Sequence, residues 1–370
     1  MVESPILLGH DDVVRLVSMR DAITAIEDAC KEQHGGGVVM GERQNLRFPG
    51  GWIRLMPAAM THSGVFGYKE FHLVVMEAAA ALGGDVAALA RPTLGAADGA
   101  PVLSEADGGR AGEGRAHVRY TMHLFDCSDG RRLASMDANY LTVLRTGAAA
   151  AVATDRLAPP GASDLAVIGS GAEARSQLEA ALAVRPITTA RVYGRDRERR
   201  ARFASDMSER FGLDIRPVTS PQEAVSGAHI VVAATLTDGT PALCGEWLEP
   251  GQHVTSIGST MPTQREIDAE VWRRADCVVV DTLGLLAESG DALAANEAAA
   301  VDLGRVRELS ELVVSDLPGR AADGDITLYK SVGTALQDIA VAELAYRRAT
   351  ATGVGLQVAD LNSVKTVRPN

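Results

Sequence analysis

The run Leu165-Ala-Val-Ile168 enters Gly169-Ser-Gly171-Ala-Glu-Ala174 without a break, and a segment with Leu178, Ala181 and Leu182 on one helical face follows. A second apolar run ends near Tyr193. Strand, G-x-G-x-x-A, helix and strand within about 30 residues is the layout of a dinucleotide-binding unit. Gly169 permits the tight turn, and Gly171 lets the backbone approach a pyrophosphate. Ala174 is small where helix and strand must pack. Ser170, Ala172 and Glu173 complete the loop and the first helical turn, whose free N–H groups and positive dipole end suit the phosphates. After the second strand comes Gly194-Arg195-Asp196-Arg197. Arg195 suits a 2′-phosphate, so NADP(H) is the preferred cofactor; Asp196 keeps NAD(H) possible.

Working outward, short apolar runs at 165–168, 190–193, 229–233, 253–257 and 277–280 alternate with helical segments. One of these opens on Ser220-Pro221-Gln222-Glu223, a capping box with Pro at the first helical position. Such alternation implies βαβ units and a mostly parallel sheet. The first third has a different texture. Helical spacing of Ala22, Ile23, Ile26 and Ala29 predicts a helix over 19–32. Runs at 45–48 and 52–56 around Pro49-Gly50-Gly51 predict a hairpin, and 65–75 a further strand. Alternation over 117–126, then Asp129-Gly130, then 131–136, predicts a second hairpin. Residues 83–114, rich in Gly, Ala and Asp, read as a flexible insertion, either a solvated loop or a lid. A last helix is expected over 334–351, stopped by Gly353 and Gly355.

The 370 residues predict two domains. A net charge of -12 argues against an electrostatic nucleic-acid binder, which needs a basic footprint. Cys30, Cys127, Cys244 and Cys277 are too scattered for a disulfide framework or a zinc knuckle. The eight histidines show no metal-ligand spacing, so no metal is expected. No G-x-S-x-G elbow appears, which disfavours a serine hydrolase. No apolar run approaches the roughly 18 residues of a membrane span. The N-terminus carries Glu3, Asp11 and Asp12 and lacks the basic region of a signal peptide. The expectation is a reduced, cytoplasmic protein.

Further stretches carry a resemblance: Arg54-Leu-Met-Pro57, Gly67-Tyr-Lys69, Met136-Asp-Ala-Asn-Tyr-Leu-Thr-Val-Leu-Arg-Thr146, Gly245-Glu-Trp247, Gly258-Ser-Thr-Met-Pro-Thr-Gln-Arg-Glu266, Glu288-Ser-Gly-Asp291 and Lys330-Ser-Val-Gly-Thr334. In this order they resemble the ornithine cyclodeaminase/mu-crystallin family over nearly the whole chain, apart from 83–114. The resemblance implies an α/β protein. A central Rossmann-type doubly wound parallel sheet would occupy 153–323. A discontinuous α+β substrate-binding and dimerisation domain would use 1–152 and 324–370. It also implies a homodimer whose antiparallel sheets meet. The family's carboxylate-holding residues fall on Arg43, Lys69 and Arg145. Permanently charged, bidentate donors suit a carboxylate that must be fixed for hydride transfer. Thr235 and Ser259 are implied near the cofactor, with Ser331 and Gly333 near the nicotinamide.

Departures bear on the chemistry. Glu173 replaces the family's usual Gln, placing a carboxylate near the phosphates. Asp137, in a strand-to-helix corner, reads as a proton donor or as a helix cap. Ornithine-cyclising members carry an Asp where this chain has Thr260, and a Glu where it has Arg54. A guanidinium repels a distal ammonium and attracts a second carboxylate or another acceptor. The resemblance therefore implies an NAD(P)-dependent oxidoreductase acting on the Cα–N bond of a small amino or imino acid. The alternatives are a redox-neutral cyclodeaminase and an NADPH- and ligand-binding protein without catalysis.

Overall fold

The computed structural model describes residues 4–75, 116–237, 239–315 and 319–359. The insertion expected at 83–114 lies outside the described residues. Two eight-stranded sheets organise the rest. The first contains β1 (Ile6–Leu8), β2 (Val38–Met40), β3 (Gln44–Phe48), β4 (Gly51–Met60), β5 (Val65–Val75), β6 (Ala116–Asp126), β7 (Arg132–Asp137) and β16 (Leu356–Gln357). Its order is β16-β1-β7-β6-β5-β4-β2, with β3 also on β4. Both expected hairpins form, β3/β4 closing at Phe48–Gly51 and β6/β7 around the 129–130 turn. The short strands β2 and β3 share one edge of β4, and the link between them carries Arg43.

The second sheet is parallel throughout, in the order β10-β9-β8-β11-β12-β15-β13-β14. Its strands are β8 (Asp164–Ile168), β9 (Thr189–Tyr193), β10 (Asp214–Pro217), β11 (Ile230–Ala233), β12 (His253–Ser256), β13 (Cys277–Val280), β14 (Val306–Glu308) and β15 (Thr327–Lys330). Chain order reverses between β8 and β11, which opens a ligand crevice at the carboxyl ends of those strands. A boundary at 323/324 would assign β15 to the terminal domain. The strand instead sits between β12 and β13, fully buried. There Leu328 and Tyr329 are fully buried.

Two helices join the units. One, α3 (Asn139–Leu157), is buried at every position from 144 to 154. Its Gly-Ala-rich run lets the next helix, α4 (Ala172–Val184), pack so closely that a Cβ at Gly147 would collide with Ser176. The other, α10 (Ala335–Thr352), starts at Thr334, whose hydroxyl accepts from Gln337 N, and ends at Gly353 in the left-handed conformation. Between α3 and α10 come α5 (Arg197–Phe211), α6 (Pro221–Val225), α7 (Ala269–Arg274), α8 (Gly290–Glu297) and α9 (Leu309–Val314). Preceding them all in the chain, α1 (His10–Leu16) and α2 (Met19–His34) follow β1. The Ser220 box is half made: Ser220 accepts from Glu223 N, whereas Glu223 turns to Thr219.

Candidate active site

Lys69 lies in the middle of β5, in register with Met56, Met122 and Met136. The four side chains therefore share one face of the sheet. Helix α10 packs on that face, leaving Lys69 only 3% exposed. Burial pushes its amine down to about 8, against the pull of Asp338 and with the repulsion of Arg145 and Arg43.

Asp338, in the first turn of α10, answers two cations at once. It accepts from Lys69 Nζ at 2.8 Å and from Arg145 Nε at 2.8 Å. Arg145 Nη1 also donates to Gln337 Oε1 at 2.9 Å. Burial opposes the Arg145 charge, yet Asp338, Glu173 and Asp281 together hold its pKa above the ordinary value.

Arg43 reaches across from the β2–β3 link. Its Nη2 donates to the carbonyls of Val332, at 3.1 Å, and Gly333, and its Nη1 pairs with Glu288 Oε2 at 2.9 Å. That turn is braced from beneath by buried Asp281, whose Oδ2 accepts from Ser331 Oγ, Val332 N and Gly333 N at 2.7, 3.0 and 2.6 Å. Burial raises the Asp281 carboxyl. Gly333 has φ +74°, and a Cβ there would stand on the Arg145 guanidinium.

Two residues along the sheet, Arg54 is in register with Phe71, and Phe71 with Tyr120. Trp52, Phe71 and Tyr120 form a half-buried aromatic floor, with ring centroids 4.6 and 5.0 Å apart. Arg54 lies 4.8 Å over Trp52 and donates to the neutral Asn45 amide at 2.9 Å. Burial and then the Arg43 charge bring its guanidinium down to about 10. Its register puts the half-buried side chain on the same sheet face as Lys69.

The glycine loop fits a dinucleotide. Gly169 has φ +126°, and a Cβ would press on the Ala234 carbonyl group. Gly171 caps α4 without a side-chain hydrogen bond, and its Cβ position is open space. Ser170, Gly171 and Ala172 are accessible, so uncapped N–H groups face the crevice. Arg195 is exposed beyond β9. Asp196 is committed as the cap of α5, accepting from Glu198 N and Arg199 N at 2.9 and 3.0 Å.

Other expected residues sit differently. Asp137 is in register with Thr121, on the sheet face opposite Lys69. It accepts from Asn139 N at 3.2 Å and lies 3.4 Å from His10 Nδ1, so it serves the strand-to-helix corner. The alternation of β7 decides this. Ser259 and Ser331 are buried, their hydroxyls spent on the Gln264 carbonyl and on Asp281. Thr260, half-buried at the loop after β12, donates its N–H to Gln264 Oε1 at 2.9 Å. Thr235 donates N–H and hydroxyl to buried Glu266, whose other oxygen takes Ser256, Ile257 and Gly258. Glu266 thereby ties the ends of β11 and β12 together beside the crevice.

Sequence reasoning missed Asp338, Asp281, Glu266 and the buried Lys330–Asp291 pair at 3.0 Å. Asp338 had a signal: Thr334-x-x-Gln337 is a capping box, and it fixes where the next residue points.

A family model described as the ornithine cyclodeaminase/mu-crystallin family matches residues 102–353. The chain is 35% identical over 239 residues to the ketimine reductase mu-crystallin of Mus musculus, covering 63% of this chain and 72% of that one. It is 35% identical over 247 residues to a Delta(1)-pyrroline-2-carboxylate reductase of Bacillus cereus, covering 66% and 75%. Among solved structures, the Thermococcus litoralis Delta(1)-pyrroline-2-carboxylate reductase in complex with NADH and L-proline superposes with a TM-score of 0.80 at 32% identity, covering 95% of this chain and all of that one. The chain belongs to the ornithine cyclodeaminase/mu-crystallin family.

Proposed function

We propose that this protein is an NAD(P)-dependent oxidoreductase that reduces the C=N bond of a small imino acid, or oxidises the corresponding amino acid. Three cations gathered here carry the reading: Arg43 on the turn after β15, and Lys69 and Arg145 on Asp338 in the first turn of the helix that follows it. A bound nicotinamide supplies the hydride. The three cations hold the substrate's carboxylate and so fix Cα, while α10 and the sheet exclude water from the Lys69 side. We assign Arg43, Arg54, Lys69 and Arg145 to substrate binding, and Lys69 and Arg145 to catalysis as well.

Thr260 cannot serve as a base near neutral pH. Arg54, lying over Trp52 beside Arg43, disfavours a distal ammonium and suits a second carboxylate or another acceptor. Both features speak against ornithine cyclodeamination. Arg195 would meet the 2′-phosphate of an NADP(H) ribose, and Asp196 is occupied as a cap, which supports NADP(H) over NAD(H). The half-exposed outer face of the first sheet carries Phe66, Tyr68 and Phe125, with ring centroids 5.2 and 6.1 Å apart, and supports a homodimer formed there. Four free cysteines accord with a cytoplasmic location.

The test follows reduced-nicotinamide absorbance with cyclic imino acids, Delta(1)-pyrroline-2-carboxylate first, and with ornithine. Stoichiometric loss of NAD(P)H with an imino acid is expected. Redox-neutral release of proline and ammonia from ornithine would refute the reading.

A further inference from the structure

We propose that Asp338 is a positioning residue of this site: its single carboxylate holds Lys69 and Arg145 side by side for the substrate's carboxylate and keeps the Lys69 amine charged. The inference rests on the imino-acid reading above. Asp338 is fully buried, one residue past the Thr334–Gln337 box that starts α10. The peptide dipoles of that first turn support its negative charge. It stands 2.8 Å from both Lys69 Nζ and Arg145 Nε.

Three charges and one aromatic ring face Lys69, from four elements. Asp338 faces it from α10, Arg145 from α3, and Arg43 from the β2–β3 link. The Tyr120 ring faces it from β6, its centroid 5.9 Å from Nζ. Of these four only Asp338 is an anion, while two are cations. Burial and both guanidiniums favour loss of the Lys69 proton, and Asp338 opposes them. A neutral amine cannot hold a carboxylate by charge, so substrate binding should fall as Lys69 deprotonates. Asp338 acts through Lys69 and Arg145, without touching the reacting atoms.

The experiment measures kcat/KM against pH for the parent enzyme and for Asp338→Asn, Asp338→Glu and Lys69→Arg. Alongside it, the Nζ of Lys69 is titrated by NMR in 15N-lysine-labelled, NADPH-bound protein, which needs no turnover. The parent should show an alkaline limb near Lys69's value of about 8. Asp338→Asn keeps the shape and removes the charge, so limb and Nζ titration should move acid by about 1–3 pH units. KM should rise while kcat changes much less. Asp338→Glu should restore the limb toward the parent position, and Lys69→Arg, permanently charged, should abolish it. A limb unmoved in Asp338→Asn, or surviving in Lys69→Arg, overturns the proposal. Should Asp338→Asn not fold, Asp338→Glu decides: a limb displaced as far acid as loss of the charge predicts would overturn it. A parent enzyme idle with every imino acid defeats the functional reading instead, and the Nζ titration then decides about Asp338.

Discussion

Replacing Gly333 by alanine should disable carboxylate binding while sparing the cofactor crevice. At φ +74° an alanine occupies the left-handed region, which costs about 1–2 kcal/mol. The larger effect is steric. The new Cβ would lie 2.6 Å from Arg145 Nη2 and 2.8 Å from Cζ, where ordinary contact begins at 3.4 Å. Nη1 lies closer still, so the guanidinium would have to retreat by about 0.8 Å at Nη2 and by more at Nη1. It has nowhere to go without loosening its 2.8 Å bond to Asp338 or its 2.9 Å bond to Gln337, both on the same helix. A misplacement of about 1 Å in a positioning group costs on the order of 10²-fold in rate. The assay is kcat/KM for imino-acid reduction, with NADPH affinity measured separately by fluorescence titration. The expected result is a loss of about 10²-fold in kcat/KM with the NADPH Kd unchanged. Near-parental kcat/KM would refute the placement of Arg145 in substrate binding.

Arg195→Ala should erode a preference for NADPH over NADH, and a parent protein that binds NADH as tightly would remove the reason for assigning Arg195 to the 2′-phosphate. Arg54→Glu should raise KM for an imino acid bearing a second carboxylate and lower it for one bearing a distal amine; an unchanged ratio would show that Arg54 does not meet the substrate. Buried His253, bonded to Thr327, Thr154 and Thr255 hydroxyls, should make the fold acid-labile. Burial, aided by Arg320 and Arg185, lowers its pKa from 6.5 to about 3, so between those values the unfolded chain binds the proton and the native chain refuses it. Stability therefore falls as pH drops through this window, by about 2 kcal/mol from this group at about pH 5. His253→Gln should flatten that part of the curve of denaturation midpoint against pH; an identical slope would exclude the group.

Local rules made much of this fold legible. The glycine loop, its flanking strands, the two hairpins and the last helix all follow from period-2 alternation, turn residues and caps, which act within a few positions of one another. Arg43, Lys69 and Arg145 were readable only through motifs, since nothing local distinguishes a site cation from a surface one. The tertiary structure decided the rest. It inserted β15 between β12 and β13, ahead of its place in chain order, because four buried residues found their partners there. That insertion brings the Ser331–Gly333 turn over Asp281 and sets α10 on the first sheet. Asp338 thereby meets Lys69, 269 positions away, and Arg145, 193 positions away. The same alternation that sends Lys69 inward sends Asp137 to the opposite face, a matter of strand register that the corner's sequence does not contain. Caps and turns are short-range and written in the chain, whereas the pairing of one buried carboxylate with two buried cations depends on which strands and helices become neighbours.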